Sequence, residues 1–377
     1  MITFQDALSL LRPTDVVQIA REARPGSEYL LTDFLPEVPK PDYNVGSGTI
    51  TIRPTMAGMV GTDSPYPTGG AAEVARFLQR TAKLAITIPL MEETIREIQQ
   101  WQMADAMLGS SVSKETVAEE ALNFYRGVLL QSLWDRDEWL RGKALANGKI
   151  EWRFGDITLL IDYGLPEENR LTERTEANGD AYHLSGSTFW EDAHEARRLL
   201  AWASSIVGVA HTDTINAIVY NPANNIHVQS SDNGVFRLRR YKNILNQPAL
   251  SDDARDTVTL IGYGQGGEVL DPSQGLDGKT KTVPFFERGR ITWIGQGSER
   301  GYRFTAGARR DPESAFALGY FHLGPTVEGN GQAGRWGRLY TPEDAPWMLR
   351  GDAVENSLPV ITNPKRMVIA TTDLPAN

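Results

Sequence analysis

Between Ser113 and about Ala146 apolar residues recur at helical spacing: Val117, Ala121, Phe124 with Tyr125, Val128, Leu129, Leu133 with Trp134, then Leu140. Glu119, Glu120, Arg126, Asp135, Arg136, Asp137 and Arg141 lie between them, so the pattern predicts one long helix with a greasy stripe and a solvated remainder. Ser113 can cap the first free amides, Glu115 sits on the positive end of the dipole, and Asn147-Gly148 offers a left-handed exit. About 34 residues at roughly 1.5 Å each make a rod of about 50 Å, long enough to span a domain. A coiled-coil arm fits less well. The apolar positions hold no strict heptad, and Gly127 and Gly142 interrupt them.

Before the rod the patterns are short. Phe4, Ala7, Leu8 and Leu11 form an amphipathic piece stopped by Pro13, and a second piece runs from Asp15 to about Ala23. Prolines and glycines then crowd the stretch to residue 47, which reads as an extended arm lying across something else. From Gly48 the period becomes two: Thr49–Arg53 (TITIR) and Leu84–Ile88 (LAITI), each followed by proline, predict two strands. They enclose about 30 glycine- and proline-rich residues, so the pair reads as a projecting hairpin with a long irregular tip between Thr55 and Arg80. A helix over Leu90–Leu108, with Ile95, Ile98 and Trp101 on one side, leads to the rod.

After the rod, Ile150–Phe154 and Ile157–Ile161 flank Gly155-Asp156 as a hairpin. Residues 167–185 are polar, a crossing between domains. Thr188 with Glu191 makes a capping box for a helix to about Ile206, with Trp190, Ala193, Leu200 and Ala203 inward. Thr214–Tyr220 reads as a buried strand halted by Asn221-Pro222. A short helical piece near 222–230, strands at Val235–Leu238, Thr257–Ile261 and Arg290–Ile294, and a glycine-rich loop over 262–281 complete a second, mixed region. Near the end, Pro342 opens a helical turn, and Ser357–Thr362 and Arg366–Thr371 flank Asn363-Pro364 as a closing hairpin.

Composition narrows the function. With 38 basic and 48 acidic side chains the net charge is −10, which disfavours direct binding to nucleic acid or anionic membranes. There is no cysteine, so disulfides and thiolate chemistry are excluded. No run of about 18 apolar residues occurs, and MITFQDALSLLRP lacks a basic start and a cleavage site, so the chain is expected to be made in the cytoplasm as a soluble protein. Of the basic residues 29 are arginine and 9 lysine, a bias suited to multidentate contacts between surfaces and equally explained by genome composition.

Candidate chemistry is sparse. Gly262–Gly267 (GYGQGG) satisfies GxGxxG after a predicted strand, but the residues that follow cannot open the helix a dinucleotide site requires. Gly278-Lys279-Thr280 imitates the end of a phosphate loop, with Ser273 where its first glycine belongs. His183, His194, His211, His227 and His322 show no metal-ligand spacing, and no GxSxG elbow occurs. Glu92-Glu93 and Glu119-Glu120 fall on helix faces. The reading therefore assigns no catalytic, cofactor-binding or metal residue and expects no enzyme.

The order of elements is more specific than any motif. With Pro54-Thr-Met-Ala-Gly-Met-Val-Gly-Thr-Asp63 in the first hairpin and Leu358-Pro-Val-Ile-Thr-Asn-Pro-Lys365 at the end, the chain resembles the lambda-type phage major capsid protein E family. The resemblance implies the α+β major capsid fold of tailed phages and herpesviruses, the Hong Kong 97-like fold. By it, 1–47 is an N-terminal arm, 48–89 an extended loop, 90–166 a peripheral domain with the spine helix, 167–334 an axial domain, and 335–377 the return of the peripheral domain. It further implies self-assembly into the pentamers and hexamers of an icosahedral head, in the virion after assembly in the host cytoplasm. The partners it implies are the chain itself, with scaffold, portal and decoration proteins, weak nonspecific contact with packaged DNA, and no membrane. An encapsulin-like nanocompartment shell is the alternative, distinguished by a neighbouring cargo-enzyme gene. Some relatives join subunits through a loop lysine and an asparagine; Gly48–Ala82 holds Arg53, Arg76 and Arg80 but no lysine, and Lys83 lies where the hairpin returns to the body, so a noncovalent shell is expected.

Overall fold

The computed structural model describes residues 13–52, 73–90, 96–97, 100, 119, 122–154, 157–232, 234–244, 247–270, 280–296, 302–306, 318–341 and 349–375. The first amphipathic piece, the hairpin tip over 53–72, most of the helix expected over 90–108, the start of the rod and the turn at Pro342 lie outside them.

Along the chain, helix α1 (Pro13–Glu22) precedes a 3-10 turn (Leu30–Asp33) and strands β1 (Glu37–Pro39), β2 (Asn44–Ile52), β3 (Glu73–Arg80) and β4 (Ala82–Leu90). The rod follows as a π-helical turn (Tyr125–Leu130) running into α2 (Gln131–Asn147). Then come β5 (Lys149–Phe154), β6 (Ile157–Asp162), α3 (Phe189–Leu199), β7 (Ser205–Ala210), α4 (Thr212–Val219), β8 (Ile226–Asp232), β9 (Val235–Ile244) and β10 (Gln247–Leu250). The remaining strands are β11 (Thr257–Gly262), β12 (Gly266–Leu270), β13 (Thr280–Pro284), β14 (Arg290–Gln296), β15 (Tyr302–Ala306), β16 (Gly319–Gly324), β17 (Trp336–Tyr340), β18 (Leu349–Ile361) and β19 (Met367–Thr371).

Two main sheets share α2. In the first, β18 pairs along one edge with β17 and then β16, and along the other with β4; β1 lies parallel beside β16. The second runs β10-β9-β11-β7-β14-β19, with β8 beside β9, and only β7 and β11 are parallel. Leu133, Leu140 and Leu145 of α2 share one core with Leu358 and Val360 of β18 and with Val209, Ile294 and Met367 of the second sheet. A second core lies where Trp190, Ala193 and Ala196 of α3 and Ile215 and Ile218 of α4 cluster with Leu238, Leu260 and Trp293. The helix is therefore an axle packed against both sheets, and α2 exits through Gly148 at φ 63°, as Asn147-Gly148 predicts.

Several expectations need correction. The first hairpin pairs β2 with β3, not with the Leu84–Ile88 strand, which belongs to β4 and lies on β18. The expected tip thus contains a strand, and β4 continues through Pro89 to Leu90, an edge position where the missing N–H costs no ladder bond. The closing hairpin is not formed: β18 ends in the first sheet, the chain turns at Pro364–Arg366, and β19 enters the second sheet beside β14. Likewise β16, within 167–334, joins the first sheet.

Thr214–Tyr220 is helix α4, not a strand. A short apolar run carries no decisive period; His211 accepts a hydrogen bond from the Asp213 N–H, and Thr214, Ile215 and Ile218 bury one helical face. The strand is the preceding segment, β7, and α3 stops at Leu199 rather than near Ile206. Thr188 stands at the start of α3 but makes no side-chain cap; its hydroxyl donates to the Asp180 carbonyl. The glycine-rich stretch is a hairpin, β12 with β13, and Gly267 lets it cross the rod, since a Cβ there would lie 2.9 Å from Phe285 and 3.3 Å from Asp135.

Candidate functional site

Among the described residues, the most concentrated chemistry lies on the rod, at positions the sequence pattern assigns to its wet side. Asp137, Glu138 and Arg141 have no solvent exposure. Counting on in steps of four from Leu129 and Leu133 lands on Asp137 and Arg141, so they continue the buried stripe. That arithmetic was available in the sequence; their charge masked it. The π-helical turn also shifts the phase, so Tyr125, Leu129 and Leu130 are buried while Val128 of the expected stripe is exposed.

Six segments converge there. Arg335, just ahead of β17, donates to Asp137 (2.6 Å), to Glu355 of β18 (2.8 Å) and to both oxygens of Glu37 in β1 (2.6 and 3.1 Å). Arg141 reaches Glu138 at 3.2 Å and Glu37 at 3.4 Å, donates to the Leu35 carbonyl, and lies 4.2 Å over the Phe321 ring of β16. Glu138 accepts from the Leu31 N–H (2.7 Å) and from the Tyr263 hydroxyl (2.9 Å). Ser357 donates to Asp137 and Glu355.

Four carboxylates therefore face two guanidiniums. Burial, and then the neighbouring Glu355 carboxylate, push Asp137 well above the usual carboxylate range, against the pull of Arg335 and Arg141. Burial raises Glu138 in the same direction. Burial acts on Glu37 too, but Arg335 and Arg141 outweigh it and hold Glu37 below its ordinary value. The result is a knot closed to solvent, in which burial favours the uncharged form of Asp137. It binds the segment 31–37, the rod, β17 and β18 into one body and offers no substrate a path to its groups. Within the stretch expected to be an arm, Leu31, Phe34 and Leu35 are core residues of this chain, and β1 is a strand of the first sheet.

The remaining candidates have local partners. His183 contacts Glu176, His194 contacts Asp256, His211 caps α4, His227 meets the Tyr241 hydroxyl, and His322 holds the Asp42 carbonyl. Among the described residues no cluster of His, Asp and Glu is arranged to hold a metal. GYGQGG joins β11 to β12, and a Cβ at Gly262 or Gly264 would press on Ile215, Phe236 or Thr212, so these glycines serve packing. Gly278 and Lys279, Glu92 and Glu93, and Glu120 lie outside the described residues.

Three large apolar side chains stand exposed, and one hairpin lies outside both main sheets. Tyr220 is 80% exposed and Leu160 63%. Val327, 76% exposed, tops a turn in which Thr326 accepts from Gly329 N–H and Asn330 and Gly331 take positive φ. The β2–β3 hairpin, with β15 beside β2, forms a three-stranded sheet hydrogen-bonded to neither main sheet. Such features suit contacts with other macromolecules.

Comparison with solved structures places this architecture. A protein assigned as a prophage capsid protein from E. coli CFT073 matches over 91% of this chain and 93% of its own, at 12% identity and a TM-score of 0.51. A phage-related protein from Bordetella bronchiseptica RB50 matches at 11% identity over 96% and 97%, with a TM-score of 0.46. A chain of the encapsulin complex from Synechococcus elongatus PCC 7942 matches at 11% identity over 97% and 99%, with a TM-score of 0.41. No family model and no curated protein matches the sequence. The chain has the α+β, Hong Kong 97-like major capsid fold, as the order of elements implied.

Proposed function

We propose that this chain is the major capsid protein of a tailed phage, related to the lambda-type capsid protein E family, and that it builds pentamers and hexamers of an icosahedral head. The observation that carries this reading is the architecture: a rod packed on two sheets, with a strand-paired hairpin that joins neither of them. An enzyme concentrates its polar groups in a cleft open to substrate; here Asp137, Glu138, Arg141, Arg335 and Glu355 are sealed in the core. Repeated heterologous contacts that close make rings, and rings make shells. In this proposal 1–47 is the N-terminal arm, 48–89 the extended loop, 90–166 and 335–377 the peripheral domain, and 167–334 the axial domain. β16 and β19 cross between the last two. The chain would reside in the virion, assembled in the host cytoplasm with scaffold, portal and decoration proteins. A wall of net charge −10 would touch packaged DNA only weakly.

Expression alone and with its neighbouring genes, followed by sedimentation and electron microscopy, tests this. Pentamers, hexamers or shells are expected; a monodisperse 41.7 kDa species under every condition overturns it.

Two narrower outcomes follow from the same reading. Deleting residues 58–72, a stretch of turn formers, should leave a cooperative melt and abolish shells, and loss of folding would make that stretch a core element. Mature particles boiled in detergent should run as single chains, because Gly48–Ala82 offers no lysine amine to attack a neighbour. A ladder of covalent oligomers with a lysine–asparagine link in mass spectrometry would contradict this.

A further inference from the structure

The β2–β3 hairpin is fastened to the body at its root. After β1 the chain runs along β16: Val38 is level with His322, and the Lys40 N–H donates to the Leu323 carbonyl at 2.9 Å. Just before β2 begins, the Asp42 carbonyl meets His322 Nε2 at 2.9 Å. The next carbonyl, that of Tyr43, accepts both the N–H and the hydroxyl of Thr81, at 3.2 and 3.1 Å. The first leg of the hairpin is thus tied to the first sheet through His322. The second leg is tied to the first and then enters that sheet as β4.

The tie fixes the state of the ring. A carbonyl oxygen only accepts, so Nε2 carries the hydrogen and Nδ1 is the bare nitrogen. His322 is 1% exposed, and its Nδ1 is enclosed without a hydrogen-bond partner. A proton arriving at Nδ1 would create a buried charge and a buried N–H with no acceptor. The neighbouring charges are Lys40, whose ammonium lies 3.8 Å over the Tyr320 ring and repels such a charge, and Asp42, which attracts it. Tyr320 on the same strand, pushed up to about 12 by burial, stays neutral. Val38 on β1 and Asn356, Leu358 and Val360 on β18, level with this face, do not titrate. Farther out on β4, Lys83 is level with Asn356 and is held by Glu328. Glu37 alternates to the opposite face, where Arg335 holds it. Burial is the largest influence and, with Lys40, outweighs Asp42, so the ring titrates below the ordinary histidine value.

We propose that His322 is an acid-sensitive latch at the root of the β2–β3 hairpin: neutral, it holds the Asp42 carbonyl and the 38–43 connection on β16; protonated at Nδ1, it leaves its site and frees that leg from the sheet. The device acts within one chain and does not depend on the shell reading. Its stabilisation is present above the unfolded imidazole value of about 6.5 and lost as pH falls through the lower folded value. At pH 5.5 an opened ring takes up a proton that the latched ring resists, which multiplies the open population by up to about tenfold.

Hydrogen exchange read by mass spectrometry on the full chain, at pH 7.5 and 5.5 and corrected for intrinsic rates, tests this. Peptides carrying the Lys40 and Thr81 amides should lose protection at least twofold at pH 5.5, while those of β14 hold theirs. His322→Gln keeps a donor for the Asp42 carbonyl but cannot titrate, so its protection should be the same at both pH values. Lys40→Met removes the repelling ammonium, lets the latched ring accept the proton more readily, and should shrink the loss. A parental change below twofold overturns the proposal, as does an equal loss in β14 or in His322→Gln. Should His322→Gln fail to fold, Lys40→Met decides: a loss as large as the parent's overturns it.

Discussion

Replacing Arg335 by methionine should destabilise the chain by about 3–5 kcal/mol, the cost of breaking a buried ion pair by removing one partner. The methylene stem can still pack, but Glu37, Asp137 and Glu355 would be left with Arg141 as the remaining cation, reaching Glu37 at 3.4 Å. Asp137→Asn should behave differently and change stability by less than about 1 kcal/mol, because burial and the Glu355 carboxylate favour the uncharged form of Asp137 and the amide retains a donor and an acceptor. Urea unfolding of the two variants beside the parent decides this. Comparable losses would show that Asp137 is ionised in the fold.

The same residues give the pH dependence its sign. Asp137 and Glu138 are raised in the fold, so their stabilisation is complete below the unfolded carboxylate value and lost as pH rises through the folded one. Glu37 is lowered, so its contribution is present above the unfolded value and lost as pH falls through the folded one. Stability should decline on both sides of a maximum. In Asp137→Asn the alkaline decline should flatten below about pH 10, before ordinary tyrosines titrate.

Replacing Leu133 by alanine should cost about 2–5 kcal/mol, the range for emptying a buried leucine site. Leu133 faces the core shared by the first sheet and the rod, whereas Val128, on the same expected stripe, is exposed. Val128→Ala should therefore cost under about 0.5 kcal/mol. The pair tests whether the π-helical turn sets the phase of the rod; equal effects would restore the uninterrupted stripe.

What the sequence determined by itself was local and repetitive. The rod and its exit at Gly148, the α1 helix, the β5–β6 hairpin and strands such as β11 and β14 follow from spacing and turn residues a few positions apart, where periodicity and caps act. The order of the elements, together with the motifs at Pro54–Asp63 and Leu358–Lys365, implied the fold through a family resemblance. Only the tertiary structure decided which strands pair. β2 chooses β3 and β15, β4 chooses β18, and β18 and β19 part into different sheets, because ladder partners are selected by packing between segments up to hundreds of residues apart. It also decided the fate of charge. Asp137, Glu138 and Arg141 look solvated when each is read alone; they can be buried because Glu37, Arg335, Glu355 and Tyr263 arrive from four other segments to satisfy them, and no local pattern records that convergence.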